Sequence, residues 1–541
     1  MTPATENGVP GNSGRILGRS VIASACPAAL LATVCLAPFL NKPFTVDDPE
    51  YLNMARQILR SPLHPMNFDV CWNLFPACTK AYSITVGNTL MGYLLVPTIM
   101  SGGAEWVAHL TQLVFAWIAV LSMSALILRM GWSGGHATAG SLLMVAVPPF
   151  LPMASTAMPD VVALAVGLAG IERLAAWRSE RKWHQGLLAA LALGLAGIAR
   201  PHLALLLPLG AFFLLESVKP QEILVQVRKC WRLWLPVLGG GCVLLAVILA
   251  TRESGVLLNP PPAFRGVGNI KPNLRSYALY LCFPLPLAAC WAFSRWRTGP
   301  RRLALTVLAA SGAALWRHQF QLGLALAGCC VLTDLVWEAW RSRDQRQMFP
   351  VLWLLIPLPI AYYGHLPIKY LLPCMPAMIL ICFRLAQDVP ARVARALGIV
   401  SIAAGLGYSL LILRADMERA EFGRDAMREL IQPHVLAGEK VWCEGHFDAY
   451  WYAPLAGAEV VVPGAREPQP GDLLAVGPKP IFRAVRLSLF PKRSMVQKVT
   501  HRYRFGRTAG EGAGLYTNAL GAWLWTFRNG ADESFELWRI E

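Results

Sequence analysis

Apolar runs of about 15 to 24 residues recur through the first three quarters of the chain, separated by short basic clusters. That length crosses a bilayer core. The runs predict spans near 20–40, 106–129, 136–153, 160–177, 186–199, 202–217, 233–251, 278–294, 302–316, 319–335, 349–363, 367–384 and 395–413, about thirteen in all. The shorter ones are expected to be buried inside the bundle. After Leu413 the chain grows richer in charge and turns. VWCEGHFDAYWYA, AEVVVPG and DLLAVG are expected as strands between Gly and Pro punctuation. The prediction is an α-helical polytopic membrane protein, residues 1–414, followed by a small extracytoplasmic α/β domain, residues 415–541. The tail aromatics Trp442, Tyr450, Trp451, Tyr452, Trp523, Trp525 and Trp538 are expected to form that domain's core rather than a sugar platform.

Residues 83–100, SITVGNTLMGYLLVPTIM, are also apolar, and their treatment decides the topology. Left out of the count, they place Arg15 and Arg19, Arg173 to Lys182, Arg228 to Arg232, Arg295 to Arg302, Arg341 to Arg346, and Arg384 to Arg395 on one side. Counted as a span, they move nearly all of these outside. The positive-inside rule favours the first choice. The segment is then a surface-packed or re-entrant part of a first extracytoplasmic loop, 41–105. The N-terminus is cytoplasmic and the tail lies outside.

Within that loop, FTVDDPEYLNMARQIL places Asp47 and Asp48 where the first span should have surfaced. Pro49 suits a first helical position and Asp48 an N-cap. Tyr51, Leu52, Ala55, Ile58 and Leu59 then share one face; Glu50, Asn53, Arg56, Gln57 and Arg60 share the other. This predicts an interfacial helix with its apolar side towards lipid or bundle. A second acid, Asp160, follows Pro159 at the start of another span on the same side. Acids at helix starts are ordinary, because the macrodipole favours them; two on one face can also converge on one cavity.

Of the 541 residues, 55% are hydrophobic and 15% charged, against about 25% charged in an average soluble domain. The net charge of +17 lies in the loops between apolar runs, which points to a membrane and not to nucleic acid. The segment near 20–40 reads as a retained span and not as a cleaved signal peptide. Most of the 13 Cys lie in apolar runs, where they act as small hydrophobes. Cys71 and Cys78 share a short polar loop; a disulfide and two thiols both remain open. Clustered carboxylates at Asp47, Asp48 and Asp160 suit Mg²⁺ or Mn²⁺, and no Cys/His zinc spacing is present.

DDPEYLNMA resembles the D-[DE]-x-x-Y-x-x-x-A motif in the first extracytoplasmic loop of GT-C fold glycosyltransferases, the group that holds protein O-mannosyltransferases, lipid A aminoarabinose transferases and their bacterial relatives. GAEWVAHL resembles the start of that group's second span, STAMPDVVALAVGLAG its second acidic motif, and KYLLPCMPAMILI its late [RK]-Y-x-L-P-x-x-P segment. EKVWCEGHFDAYWYA with PGDLLAVG resembles the tail of many bacterial members. Where many relatives carry N-P-P-L, this chain has Gly87-Asn88-Thr89-Leu90. The resemblance covers most of the chain and rests on motif order.

It implies a GT-C-like bundle in a bacterial inner membrane that transfers a sugar from a polyprenyl-phosphate carrier to an extracytoplasmic acceptor: lipid, glycan or protein. Asp47 would be the catalytic carboxylate, Asp48 its support and Asp160 the second acidic site. The chemistry requires a base to deprotonate an acceptor hydroxyl and cations to stabilise the departing phosphate. Attack opposite the leaving group inverts the anomeric carbon. Basic residues on the same face are Lys80, Arg200, His202, Arg265, Lys271, Arg317, His318, His365 and Lys369, the last beside Tyr370. Arg200 and His202 lie at membrane depth, where charge needs a partner; a basic residue taken alone is more often an interface anchor or snorkelling side chain than a ligand, except at Arg200 and Lys369, where the two readings are even. The alternative class is a transporter or lipid flippase with an extracytoplasmic domain. It predicts mid-bilayer charges and pseudo-repeated halves, and the sequence shows neither. A third reading is a non-catalytic relative in an envelope assembly, against which Asp47 and Asp160 argue.

Overall fold

The computed structural model describes residues 10–541 except 72–77, 84–87, 216–219, 230, 252–265, 283–285, 299–311, 313–319, 445–446, 463, 479–486, 488–489, 511 and 528–532. Among the described residues six helices are long and apolar enough to cross a membrane: Gly18–Phe39, Glu105–Arg129, Trp231–Ala250, Phe320–Ser342, Ile368–Ala386 and Ala391–Leu436. The pair Val267–Cys282 and Leu287–Trp296, bent by 70°, makes a seventh if it is one span.

The difference from thirteen expected spans has a recurring cause. Proline removes a backbone donor and ends or kinks a helix. Pro148 and Pro149 stop the predicted 136–153 run, leaving Gly134–Ala146 and a short turn Phe150–Ala154. Pro201 separates Trp183–Ala199 from Leu206–Leu214. Pro357 separates Gln345–Leu354 from a 3₁₀ turn, Leu358–Tyr362. The 160–177 run is a continuous helix, Asp160–Glu180, buried along most of its length and paired with Trp183–Ala199 and Glu105–Arg129. The predicted span 302–316 lies outside the described residues. The apolar 89–100 stretch forms two short helices, Thr89–Leu94 and Val96–Met100, packed on Asp48–Arg60.

Ala391–Leu436 is one helix of 46 residues. At 1.5 Å per residue it is about 70 Å long, more than twice a bilayer core of about 30 Å. It runs straight through residue 414, where composition changes. Its last turns, with Asp416, Arg419 and Gly423 turned inward, carry the tail. A Cβ at Gly423 would run into the Asp448 carboxylate, so the tail approaches the helix backbone directly there.

After two short first-loop strands, β1 Asp69–Val70 and β2 Thr79–Lys80, the tail contributes β3 Val441–Glu444, β4 Glu459–Val460, β5 Leu473–Val476, β6 Arg493–His501 and β7 Glu533–Ile540, which form a five-stranded sheet of order β4-β3-β5-β7-β6. β3 pairs parallel with both β4 and β5, while β7 runs antiparallel to β5 and β6. The central strands VWCE and LLAV are buried at every position, as strands covered on both faces require. DAYWYA, expected to continue a strand, forms the helix Ala449–Leu455. Trp442 lies in the sheet's own small core. Trp451 and Tyr452 instead pack on the first loop: Trp451 meets Phe44 edge-on at 5.7 Å, and the guanidinium of Arg56 lies 4.0 Å from its ring centre.

Candidate functional site

The loop that carries the acids is held from three directions. Val46 has φ +52°, a left-handed conformation costly for a β-branched residue. Its N–H donates to Asp448 Oδ1 at 3.1 Å, and the Phe44 N–H donates to the Tyr452 hydroxyl at 2.7 Å. Arg419 Nη1 donates to Thr45 Oγ1 at 2.7 Å. The Thr45 N–H donates to Asp48 Oδ2 at 3.0 Å, and the Ala157 N–H donates to Asp48 Oδ1 at 2.8 Å.

Asp48 therefore differs from its expected role. It is the first residue of the helix Asp48–Arg60, and Asp47 occupies the cap position without a side-chain cap bond. The Asp48 carboxylate is fully buried with both oxygens bonded to backbone. Burial pushes its carboxyl up to about 7. It ties the loop to the turn before the second acid. The polar face assigned to this helix is also revised. Glu50 is buried at 8% exposure, one turn on from Asp47, and Leu59 is exposed. The tail covers part of the side expected to meet water.

Asp47 is turned outward, with 38% of its side chain exposed, and Lys369 Nζ lies 3.3 Å from its Oδ2. Lys369 is buried at the start of the Ile368–Ala386 span, in a 3₁₀ turn set by Pro367 and Pro373. Asp160, also buried, opens the helix Asp160–Glu180, and Arg200 Nη2 donates to its Oδ1 at 2.7 Å. Arg200 is buried at the break before Pro201, and its guanidinium carbon lies 4.7 Å from the Tyr370 ring centre. Tyr370 joins the remaining members. His365 Nε2 is 3.2 Å from its hydroxyl, and the His202 ring centre is 6.3 Å away. Burial, reinforced by Lys369, pushes the His365 imidazole down to about 4, so it is neutral at pH 7. Tyr51 is buried within reach of the charges of Arg200, Glu50, Asp47 and Asp160.

Seven residues singled out from sequence thus come together: Asp47, Asp160, Arg200, His202, His365, Lys369 and Tyr370. Lys80 pairs with Asp69 at 3.0 Å across a short hairpin, β1 Asp69–Val70 with β2 Thr79–Lys80, and both side chains are exposed. A disulfide between Cys71 and Cys78 closes that hairpin. Lys271 is exposed on its helix; Arg265, Arg317 and His318 lie outside the described residues. Glu50 and Tyr51 were missed as site members. Their spacing from Asp47 on one helix was the available signal.

The acids do not form a cage for Mg²⁺ or Mn²⁺. Among the described residues no three His, Cys, Asp or Glu side chains converge on one point. Asp48 is engaged by backbone, and Asp47 and Asp160 each face a tethered cation. The arrangement offers a half-exposed carboxylate beside two fixed positive charges, a pairing suited to taking a proton while stabilising an anion.

No protein-family model matches the chain, and no curated protein sequence matches it. Solved structures do. The chain is similar to ArnT from Cupriavidus metallidurans bound to undecaprenyl phosphate, with TM-score 0.53 at 12% identity over 89% of this chain and 97% of that one. Against the same protein in the apo state the TM-score is 0.51 at 13% identity, over 95% and 97%. An oligosaccharyltransferase from Archaeoglobus fulgidus gives 0.45 at 12% identity over 82% and 64%, too low to argue from. The ArnT likeness extends over nearly the full length of both chains, and the fold of this chain is accordingly GT-C-like.

Proposed function

We propose that this chain is an integral membrane glycosyltransferase that moves a sugar from a polyprenyl-phosphate carrier to an acceptor hydroxyl with inversion. The observation that carries the reading is the Asp47–Lys369 pair, half open to solvent, beside the buried Asp160–Arg200 pair. Asp47 accepts the proton of the acceptor hydroxyl as its oxygen attacks the anomeric carbon. The bond from that carbon to the phosphate oxygen breaks, and the phosphate leaves with the electron pair. Lys369 and Arg200 stabilise the charge that develops on it. Asp160 acts through Arg200, whose guanidinium it orients. His365, neutral, fixes the Tyr370 hydroxyl. The isoprenoid enters sideways from the bilayer and the acceptor from the aqueous side.

The charge asymmetry supports an N-terminus inside and residues 415–541 as an extracytoplasmic domain beside the site; the resemblance supports a bacterial inner membrane. Mass spectrometry of envelope glycans and glycolipids tests the reading. Cells lacking the protein are expected to lose one glycosylated species, which the wild-type gene restores and the Asp47→Asn gene does not. Full restoration by Asp47→Asn would remove the catalytic assignment.

A further inference from the structure

The tail reaches the candidate site at a second place, below Lys369. Thr508 Oγ1 donates to Asp416 Oδ1 at 2.6 Å, and the Tyr516 hydroxyl donates to Asp416 Oδ2 at 2.6 Å. Lys42 Nζ sits 2.5 Å from that same Oδ2 and donates to the Ser155 carbonyl at 3.0 Å. Lys42, Thr508 and Asp416 are fully buried and Tyr516 is 4% exposed. Two residues on, Asn518 Oδ1 accepts the Leu366 N–H at 2.7 Å. Its Nδ2 donates to Asn273 Oδ1 and to Ser276 Oγ, each at 2.9 Å. Leu366 follows His365 and precedes Lys369 by three residues, so Asn518 pins the segment that delivers both.

Between these anchors lies the Tyr516 ring, with Lys369 Nζ 5.4 Å from its centre. Tyr370 stands 5.8 Å from the same ammonium. A lysine side chain is a flexible stem with a point charge and loses much rotamer freedom when held. An aromatic face can hold it by attraction to the ring quadrupole. Unlike a second carboxylate, a ring contributes no formal negative charge and leaves the N–H donors free to point elsewhere. Burial in the core holds the ring, its hydroxyl donates to Asp416, and the Lys42–Asp416 pair fixes Asp416.

We propose that Tyr516 and Asn518 are positioning residues of the site: the tail sets the Lys369 ammonium against Asp47 through the Tyr516 ring and holds the 365–369 segment through Asn518. Only the kinetic part of this rests on the transferase reading. The tail is then a component of the site, beyond any role in recognising an acceptor.

Full-length protein in detergent is treated with an N-hydroxysuccinimide ester, and acylation of Lys369 is followed by mass spectrometry in wild type, Tyr516→Phe, Tyr516→Leu and Asn518→Ala. Tyr516→Phe keeps the ring and is expected to stay within about twofold of wild type, while Tyr516→Leu acylates about tenfold faster. Asn518→Ala is expected to acylate about threefold faster. In transfer assays Tyr516→Leu loses about tenfold in kcat with KM for the lipid-linked donor nearly unchanged, and Tyr516→Phe recovers most of that loss. Equal acylation in the Phe and Leu variants would overturn the proposal. If Tyr516→Leu does not fold, a wild-type rate of Lys369 acylation in Asn518→Ala would overturn it instead. Wild-type protein that transfers no sugar removes the transferase reading and leaves the acylation contrast to decide the positioning role.

Discussion

Two lysine–carboxylate pairs lie within one network, and they are built for opposite ends. Lys42 and Asp416 are both fully buried, 2.5 Å apart, with Thr508, Tyr516 and Ser155 completing their hydrogen bonds. Lys369 and Asp47 are 3.3 Å apart, and Asp47 keeps 38% of its side chain exposed. A buried pair with both carboxylate oxygens hydrogen-bonded is a joint, costly to break. A longer pair with one open end can exchange its partner for a ligand. Charge and residue type do not separate a buried strut from a pair that reaches solvent; exposure does.

The contrast predicts different losses for the two carboxylates. Asp47→Asn is expected to cost about 10²- to 10⁴-fold in transfer, the range for a lost general base. Its thermal stability should change little, by about 1 kcal/mol, since the pair is partly exposed. Asp416→Ala should do the reverse first: it leaves Lys42 buried and unpaired, and stability measured by thermal unfolding in detergent should fall by about 3–5 kcal/mol. An Asp416→Ala protein as stable as wild type would erase the distinction.

A smaller effect is expected from the clamp on the acidic loop. Asp448→Ala removes the acceptor for the Val46 N–H and the carboxylate that lies 3.9 Å from Arg419. The expected cost is about 2 kcal/mol in stability. Transfer should fall as well, because Val46 can relax from φ +52° and swing Asp47 away from Lys369. Unchanged kcat in a destabilised Asp448→Ala protein would show that the strained turn does not aim Asp47.

The smallest effect is a pH dependence. The folded chain keeps His365 neutral down to about pH 4, whereas the unfolded chain takes up that proton near the ordinary 6.5. The unfolded state therefore binds more protons in this window, and stability from this group, present above 6.5, drains as pH falls towards 4. Relative to His365→Gln, the wild type should lose of the order of 1 kcal/mol between pH 7 and pH 5. Parallel stability curves for the two proteins would show that burial does not depress this imidazole.

Much of this cluster was legible in the sequence. Asp47, Asp160, Arg200 and Lys369 stand at helix starts and proline breaks between apolar runs, where a charge surfaces or needs a partner. The surroundings that the sequence did not show share a cause. Asp48 looked like a second functional acid because sequence does not show which backbone donors will surround a carboxylate. Glu50 fell on the polar side of an amphipathic helix, and the tail then covered that side. Lys80 lies in the right loop, yet the hairpin closed by Cys71 and Cys78 pairs it with Asp69. Trp451 and Tyr452 were read as tail core and are packed against Phe44, some 400 residues earlier in the chain.

Apolar run length, charge asymmetry and motif order were enough to establish from the chain alone a helical membrane protein of GT-C-like fold with acids at helix starts. These are local properties, set by bilayer thickness, the positive-inside bias and helix-end electrostatics. Which carboxylate stays open and which becomes a strut was settled by contacts between residues far apart in the chain: Asp448 with Val46, Tyr516 with Asp416, Asn518 with Leu366. Such contacts depend on how the tail folds back over the first loop, and no local pattern encodes them.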